Sequence, residues 1–255
     1  MTFLHSVVLF LAALCAGALD SVAGGGSFIS FPVLMATPVP PINANATNTA
    51  ALWPGSLASV AAYRREPRPQ RHIMVTLGVA SLVGGLLGAL ILLRTPEAEF
   101  VHLLPFLLLI ATLLFTFGGS VTARLRRRAA HFMVPSWVAM IGLGAIQLVI
   151  AAYGGFFGAG IGIVMLACLT LTGMENIHAM NALKTLLSVL INGVAVVAFV
   201  VARAIYWPEA ILMVLGAILG GYGGAHTAQR IDPLLVRRFV IAIGFALTVY
   251  FFMHA

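Results

Sequence analysis

Lys184 is the only lysine in the chain, and it sits inside an apolar stretch, residues 181–201, that is long enough to cross a bilayer. A cation in hydrocarbon must face protein or a water-filled cavity, and such residues mark substrate or ion paths. Of the seven acids, only Asp20 lies well inside an apolar segment. Asn181, Thr185, Ser188 and Asn192 recur around Lys184 at helical spacing and fall on one face. A second stripe, Asn45, Asn48, Thr49, Ser56 and Ser59, runs along residues 44–63. An ammonium group among amide and hydroxyl donors is a set suited to a small anion. For Ser56, Ser59 and Ser188 the simpler reading is bonding between neighbouring helices. For Lys184 the simpler reading is a structural ion pair with Asp20, although helix adhesion alone does not need a full charge.

Two glycine clusters add to this chemistry. Gly24, Gly25, Gly26 and Ser27 precede the short apolar run 28–37, and Gly158, Gly160 and Gly162 open the run 160–173. A helix that starts within the bilayer leaves its first N–H groups unbonded, with partial positive charge at that end. Glycine there lets a ligand approach the backbone, and Pro32 is expected in such a first turn. Two such starts with Lys184 make an oxyanion cage. Close helix packing is the competing account of Gly24–Gly26. It is the whole account given to Gly84, Gly85, Gly88, Gly216, Gly220, Gly221 and Gly224. Asp20 is placed to titrate beside the cavity and carry protons, with Glu175 a second candidate at a loop edge, where an ordinary solvated acid is the simpler reading.

These residues must be held by membrane helices. Apolar segments fall at 3–23, 28–37, 44–63, 73–93, 101–122, 134–156, 160–173, 180–202, 208–229 and 233–253. An open sheet cannot face lipid, so the expected fold is all-α, a polytopic transmembrane bundle of eight to ten helical segments. Run 28–37 would span only about 15 Å, half the hydrocarbon thickness, so it and 160–173 are expected to be broken or re-entrant. Arginines cluster at 64–71, 124–128 and 230–238, which marks those breaks as cytoplasmic. On that map helix 44–63 runs inward and helix 180–202 outward.

The same two helices share Asn-Ala-x-x-Thr, at Asn45–Thr49 and at Asn181–Thr185, 136 residues apart. That offset also carries Gly24-x-Gly26 onto Gly160-x-Gly162 and Ser56 onto Asn192. The expected organisation is a first repeat over 1–123, a basic cytoplasmic linker at 124–133 and a second repeat of inverted topology over 134–255.

Composition excludes other classes. The chain is 61% hydrophobic and 8% charged, with a mean hydropathy of +1.07, far from a soluble domain. Its net charge of +7 resides in short loops, so nucleic acid is not an expected partner. The expected partners are a small anion and the lipid bilayer, and a homo-oligomer is left open. Met1–His5 lacks the basic residues of a cleavable leader. Cys15 and Cys168 read as inert thiols. No histidine pair sits at metal-binding helical spacing, so no metal or other cofactor is expected. Apart from His226, near the end of its segment, no histidine lies deep enough to activate a serine, so the chain is not read as an enzyme.

At Gly24–Pro32, Asn45–Thr49, Gly158–Gly162, Asn181–Thr185 and Asn192 the chain resembles the TauE/SafE family, the sulfite exporter group. The resemblance covers residues 5 to 253. It implies a carrier in the bacterial inner membrane for sulfite or organosulfonates, driven by an ion gradient. Family members differ in substrate and direction, so neither is carried over here. The second glycine segment is plainer than the first, with Ile161 and Ile163 beside its glycines.

Overall fold

The computed structural model describes residues 3–22, 25–62, 70–129, 136–171, 174, 176–227 and 233–254. They form ten helices: α1 (Phe3–Val22), α2 (Ser27–Met35), α3 (Pro41–Ala62), α4 (Arg71–Arg94), α5 (Glu97–Ala129), α6 (Ser136–Phe156), α7 (Ile161–Thr170), α8 (Ile177–Val201), α9 (Trp207–Thr227) and α10 (Pro233–His254). The described residues contain no strand. Three described stretches are long and apolar enough to cross a membrane: Arg71–Arg94, Glu97–Gly119 and Ala179–Val201.

Lipid inverts the usual logic of burial, because an apolar exterior costs nothing there and polar groups must find partners inside. The bundle follows that rule. Val79, Ile91, Ile141, Val149, Ile211 and Val249 are exposed. Asn45, Thr47, Asn48, Ser81 and Gln147 are buried.

α2 and α7 are short because glycine turns set where they begin. Gly25 has φ +96°, and Gly158 and Gly160 have φ +82° and +77°, a region closed to most side chains. α2 then ends in the turn at 36–39, ahead of Pro40. Pro32 is not in the first turn as expected but inside α2, since the helix already starts at Ser27. α5 does not stop at the membrane edge. It continues through the arginine cluster to Ala129, into the segment assigned to the linker, because nothing between Gly119 and Pro135 breaks a helix.

Small residues let the helices approach. A Cβ at Gly84 would run into the carbonyl oxygen of Leu148, and one at Gly220 into that of Leu14, so α4 seats on α6 as α9 seats on α1. Gly85, Gly88 and Gly216 are similarly close to a neighbouring backbone. Gly221 departs from the packing expectation, with only the Gly17 oxygen at an ordinary 3.8 Å. Gly224 has no described surroundings.

Helix spacing repeats along the chain. α3, α4 and α5 start at Pro41, Arg71 and Glu97; α8, α9 and α10 start 136 residues later, at Ile177, Trp207 and Pro233. For the glycine turns the expected offset fails. The residues capping α2 and α7 are Gly26 and Gly160, 134 apart, so Gly162 is not the counterpart of Gly26. α7 is one residue longer than α2, and the break after it is one residue longer too.

α3 and α8 cross at their middles. Trp53 Nε1 donates to the Val189 carbonyl at 3.1 Å, and its ring lies against Gly193. Val189 follows Trp53 by 136 residues, so the crossing falls on matched positions. The start of α3 meets the segment after α8: Asn43 Nδ2 donates to the Ala204 oxygen at 2.8 Å, and the Tyr206 N–H donates to Thr47 Oγ1 at 3.0 Å. The two helices therefore run in opposite directions.

Candidate anion-binding site

The starts of α2 and α7 are built differently. At α2, Asp20 near the end of α1 places Oδ1 2.6 Å from the Gly26 N–H. An internal carboxylate thus takes the position that a bound anion would take at a helix start. Only glycine fits below it, because a Cβ at Gly26 would strike the Ala16 carbonyl and lie 2.9 Å from Asp20 Cγ. At Gly25, beside the positive φ, a Cβ would come within 2.7 Å of the Phe115 ring.

The first half of the polar constellation is then closed by its own hydrogen bonds. Ser30 Oγ donates to Asn48 Oδ1 at 2.6 Å, with the Gly26 oxygen a longer second acceptor at 3.2 Å. Asn48 Nδ2 donates to Ser27 Oγ at 3.3 Å. Asn45 Nδ2 donates to the Phe156 carbonyl at 2.9 Å, and Thr49 Oγ1 turns back on the Asn45 carbonyl at 2.9 Å.

At α7 no carboxylate of the described residues caps the helix start. Gly160 caps the helix in the left-handed region with no side-chain cap. The N–H groups of Ile161 and Gly162 have no acceptor among the described residues. The turn before them is braced, with Tyr153 Oη donating to the Ala159 carbonyl at 2.9 Å and Asn45 holding Phe156. Lys184 lies over this start: its Cδ is 3.4 Å, and its Nζ 4.0 Å, from where a Cβ on Gly162 would sit.

Lys184 is partly buried, and Asp20 is exposed. No salt bridge joins the two among the described residues. Asn181, Ser188 and Asn192 are also partly buried, and their side chains have no hydrogen-bond partner among the described residues. Thr185 Oγ1 returns to the Asn181 carbonyl at 2.8 Å.

The structure thus brings Asp20, Gly25, Gly26, Ser27 and Asn48 together at one helix start and Gly160, Gly162 and Lys184 at the other. Gly24 and Glu175 lie outside the described residues, as does the side chain of Ser59. Sequence reasoning missed Tyr153, Ser30 and Trp53. For Trp53 a signal was present, since its match at offset 136 is the residue it bonds. Tyr153 offered only a polar tip next to a glycine pair.

A polytopic membrane helix bundle with two short helices, and at the start of one a lysine with no salt bridge among the described residues, falls in the class of membrane transporters. Comparison with known proteins places it further: residues 9–251 match the family described as "Sulfite exporter TauE/SafE", and the chain belongs to that family. A "Probable membrane transporter protein" of Haemophilus influenzae is 30% identical over 243 residues, covering 94% of this chain and 92% of that protein. "Probable membrane transporter protein ORF9" of a Sinorhizobium species is 29% identical, over 94% of this chain and 90% of its own. "Probable membrane transporter protein YfcA" of Escherichia coli K12 is 27% identical, over 93% and 86%. No solved structure matches the chain.

Proposed function

We propose that the protein is a secondary carrier of small oxyanions, with sulfite and organosulfonates as its substrates and an ion gradient as its drive. It is a multi-pass protein of the bacterial inner membrane and has no enzymatic activity. The observation that carries this reading is the Lys184 ammonium group, which has no salt bridge among the described residues and lies over the first turn of α7, where no side chain caps the helix. A charged donor beside free N–H groups suits three or four oxygens around a sulfur atom. Asn181, Thr185 and Asn192 extend the donor set along α8. Asn45, Asn48, Thr49, Gly24, Gly25, Gly26 and Ser27 shape the facing side, and Asp20 carries the coupling proton, with Glu175 in a secondary place.

The halves 1–123 and 134–255 act as inverted repeats about the basic segment 124–133. The repeated helix spacing and the opposed directions of α3 and α8 support that arrangement. Rocking one half against the other would then open the site to each side in turn.

The test is a thermal-shift screen of purified protein with sulfite, sulfate, sulfonates, carboxylates and phosphate, paired with counterflow in proteoliposomes. We expect one sulfur oxyanion to stabilise the protein most and to exchange against its own gradient. Lys184→Met should lose that stabilisation while remaining folded. Full anion affinity in Lys184→Met would sink the site, and transport without counterflow would make the protein a channel.

A further inference from the structure

At the start of α9 a hydrogen bond goes to a distant helix where a nearer acceptor stands ready. Tyr206 is the residue before the helix, and its carbonyl accepts from the Ala210 N–H at 2.9 Å, which makes Glu209 the third helical residue. A glutamate there ordinarily reaches back to the N–H of the residue before the helix and caps it. Here that N–H is taken, because Tyr206 donates to Thr47 Oγ1 on α3 at 3.0 Å. Glu209 keeps only 8% exposure, and its Oε2 is buried with no hydrogen-bond partner among the described residues.

The bond to Thr47 belongs to a seam. α3 ends beside the arginines at 64–71, so its start lies at the far end of the bundle. There Asn43 Nδ2 donates to the Ala204 carbonyl, and the Tyr206 N–H donates to Thr47. These two bonds tie the start of α3 to the segment that leads into α9. One N–H therefore has two candidate acceptors, and of these only Glu209 changes its charge. Burying a carboxylate without a donor is costly, and burying the neutral acid is far less so. Ionised Glu209 draws the N–H away from Thr47, whereas protonated Glu209 leaves it there.

We propose that Glu209 is a protonation site that works as a latch: as the acid it leaves the seam shut, and as the carboxylate it takes back the Tyr206 N–H and frees the start of α3. One proton, exchanged with the adjoining solution, is the ligand, and only hydrogen bonds are rearranged. The shut form binds that proton more tightly, so acid favours it and rising pH opens it. The latch needs no bound anion. Few other groups could respond in its place. α9 packs on α1 and α3, and α3 has no titratable residue. α1 meets α9 with Phe10 at Gly216 and Leu14 at Gly220, so the first turn of α1 lies at the level of Glu209. Half-buried His5 stands in that turn, while Cys15 and Asp20 are further along. Arg203, Tyr206 and Tyr222 are exposed, and His226 lies outside the described side chains.

Double electron–electron resonance on the full chain tests this, with spin labels at the exposed positions Ala36→Cys and Ala202→Cys and with Cys15→Ala and Cys168→Ala to remove the native thiols. The short distance should dominate at acid pH, and the short-to-long ratio should fall by up to about tenfold for each unit rise in pH through the transition. Glu209→Ala, which offers no acceptor, should stay short at every pH. Glu209→Gln accepts without titrating, so its ratio should not move with pH. Thr47→Val should shift the population to the long distance, while Thr47→Ser should behave as the native chain does and guard against a folding defect. His5→Gln should keep the response. A native distribution that pH does not move overturns the proposal, as does a response that survives in folded Glu209→Ala or Glu209→Gln, or one that is lost in His5→Gln. A short distance retained in Thr47→Val overturns it too.

Discussion

The polar stripes of α3 and α8 occupy matched positions but have opposite fates. On α3, the amides of Asn45 and Asn48 are committed to Phe156, Ser27 and Ser30. On α8, the side chains of Asn181, Lys184 and Asn192 have no such commitments among the described residues. The difference traces to two positions. Lys184 stands where α3 has Asn48, and Gly154 stands where α1 has Asp20, by the offsets of 136 and 134 that relate the helices. One half supplies a carboxylate to its own broken helix and is saturated. The other supplies a cation and leaves its helix start open among the described residues. The two helices share their spacing, and two residues that differ leave one helix start capped and the other open among the described residues.

Making the second half resemble the first is the most direct way to break that comparison. Lys184→Asn keeps a polar side chain but removes the charge. Losing one partner of a desolvated charged contact costs upwards of about 2 kcal/mol, so anion affinity should fall at least about thirtyfold, measured by thermal shift or calorimetry. The melting temperature without anion should not fall, because the substitution removes a cation that makes no salt bridge among the described residues. An unstable apo protein with intact affinity would mean that the lysine serves folding.

The next largest effect is expected at the saturated start. Gly26→Ala forces a methyl group into the Ala16 carbonyl, where backbone has to move, at about 1–3 kcal/mol or more. Gly55→Ala, also on a helix but with nothing within 4 Å, should be neutral or slightly stabilising. Denaturation of the two variants side by side separates tight packing from mere helix propensity. Equal effects would remove the argument that α2 starts where it does because glycine permits the contact.

How much of this was legible in the sequence depends on what each signal measures. Hydropathy found all ten helices within a few residues, because lipid imposes an apolar run on each. It lost the end of α5, since arginines leave a bilayer without leaving a helix. The matched segments Asn45–Thr49 and Asn181–Thr185 gave the true offset for α3 and α8, because two amides and hydroxyls in an apolar chain are rare. Glycine gave a false one: with 26 in 255 residues, a match of two is common, and the caps proved to be 134 apart. Lys184 announced itself by charge. The role of Asp20 at Gly26 was out of reach, because its exposed or capped state is a property of the turn geometry and not of spacing.

A finer test sharpens the difference between the stripes themselves. Asn48→Ala should cost about 1–3 kcal/mol, since it removes the shorter acceptor of fully buried Ser30, leaving it the longer bond to the Gly26 oxygen, and removes the donor to Ser27. Asn192→Ala should leave stability within about 0.5 kcal/mol yet weaken anion binding, as no described residue bonds that side chain. The expected pattern is a crossover: one variant shifts denaturation and the other shifts the ligand isotherm. If both act on stability alone, the open stripe of α8 is packing in another form.

The smallest expected effect concerns the place where the stripes meet. Trp53 donates from α3 to Val189 on α8 and lies on Gly193. Trp53→Phe removes the donor but keeps an aromatic ring there, so stability should drop by about 0.5–1.5 kcal/mol. Because the bond joins matched residues at the middle of both helices, it can persist while either end swings. The variant should therefore slow counterflow less than twofold and leave anion affinity unchanged. A large loss of exchange at constant affinity would show instead that the crossing is not a passive pivot, and that α3 and α8 must separate at Trp53 for the site to change sides.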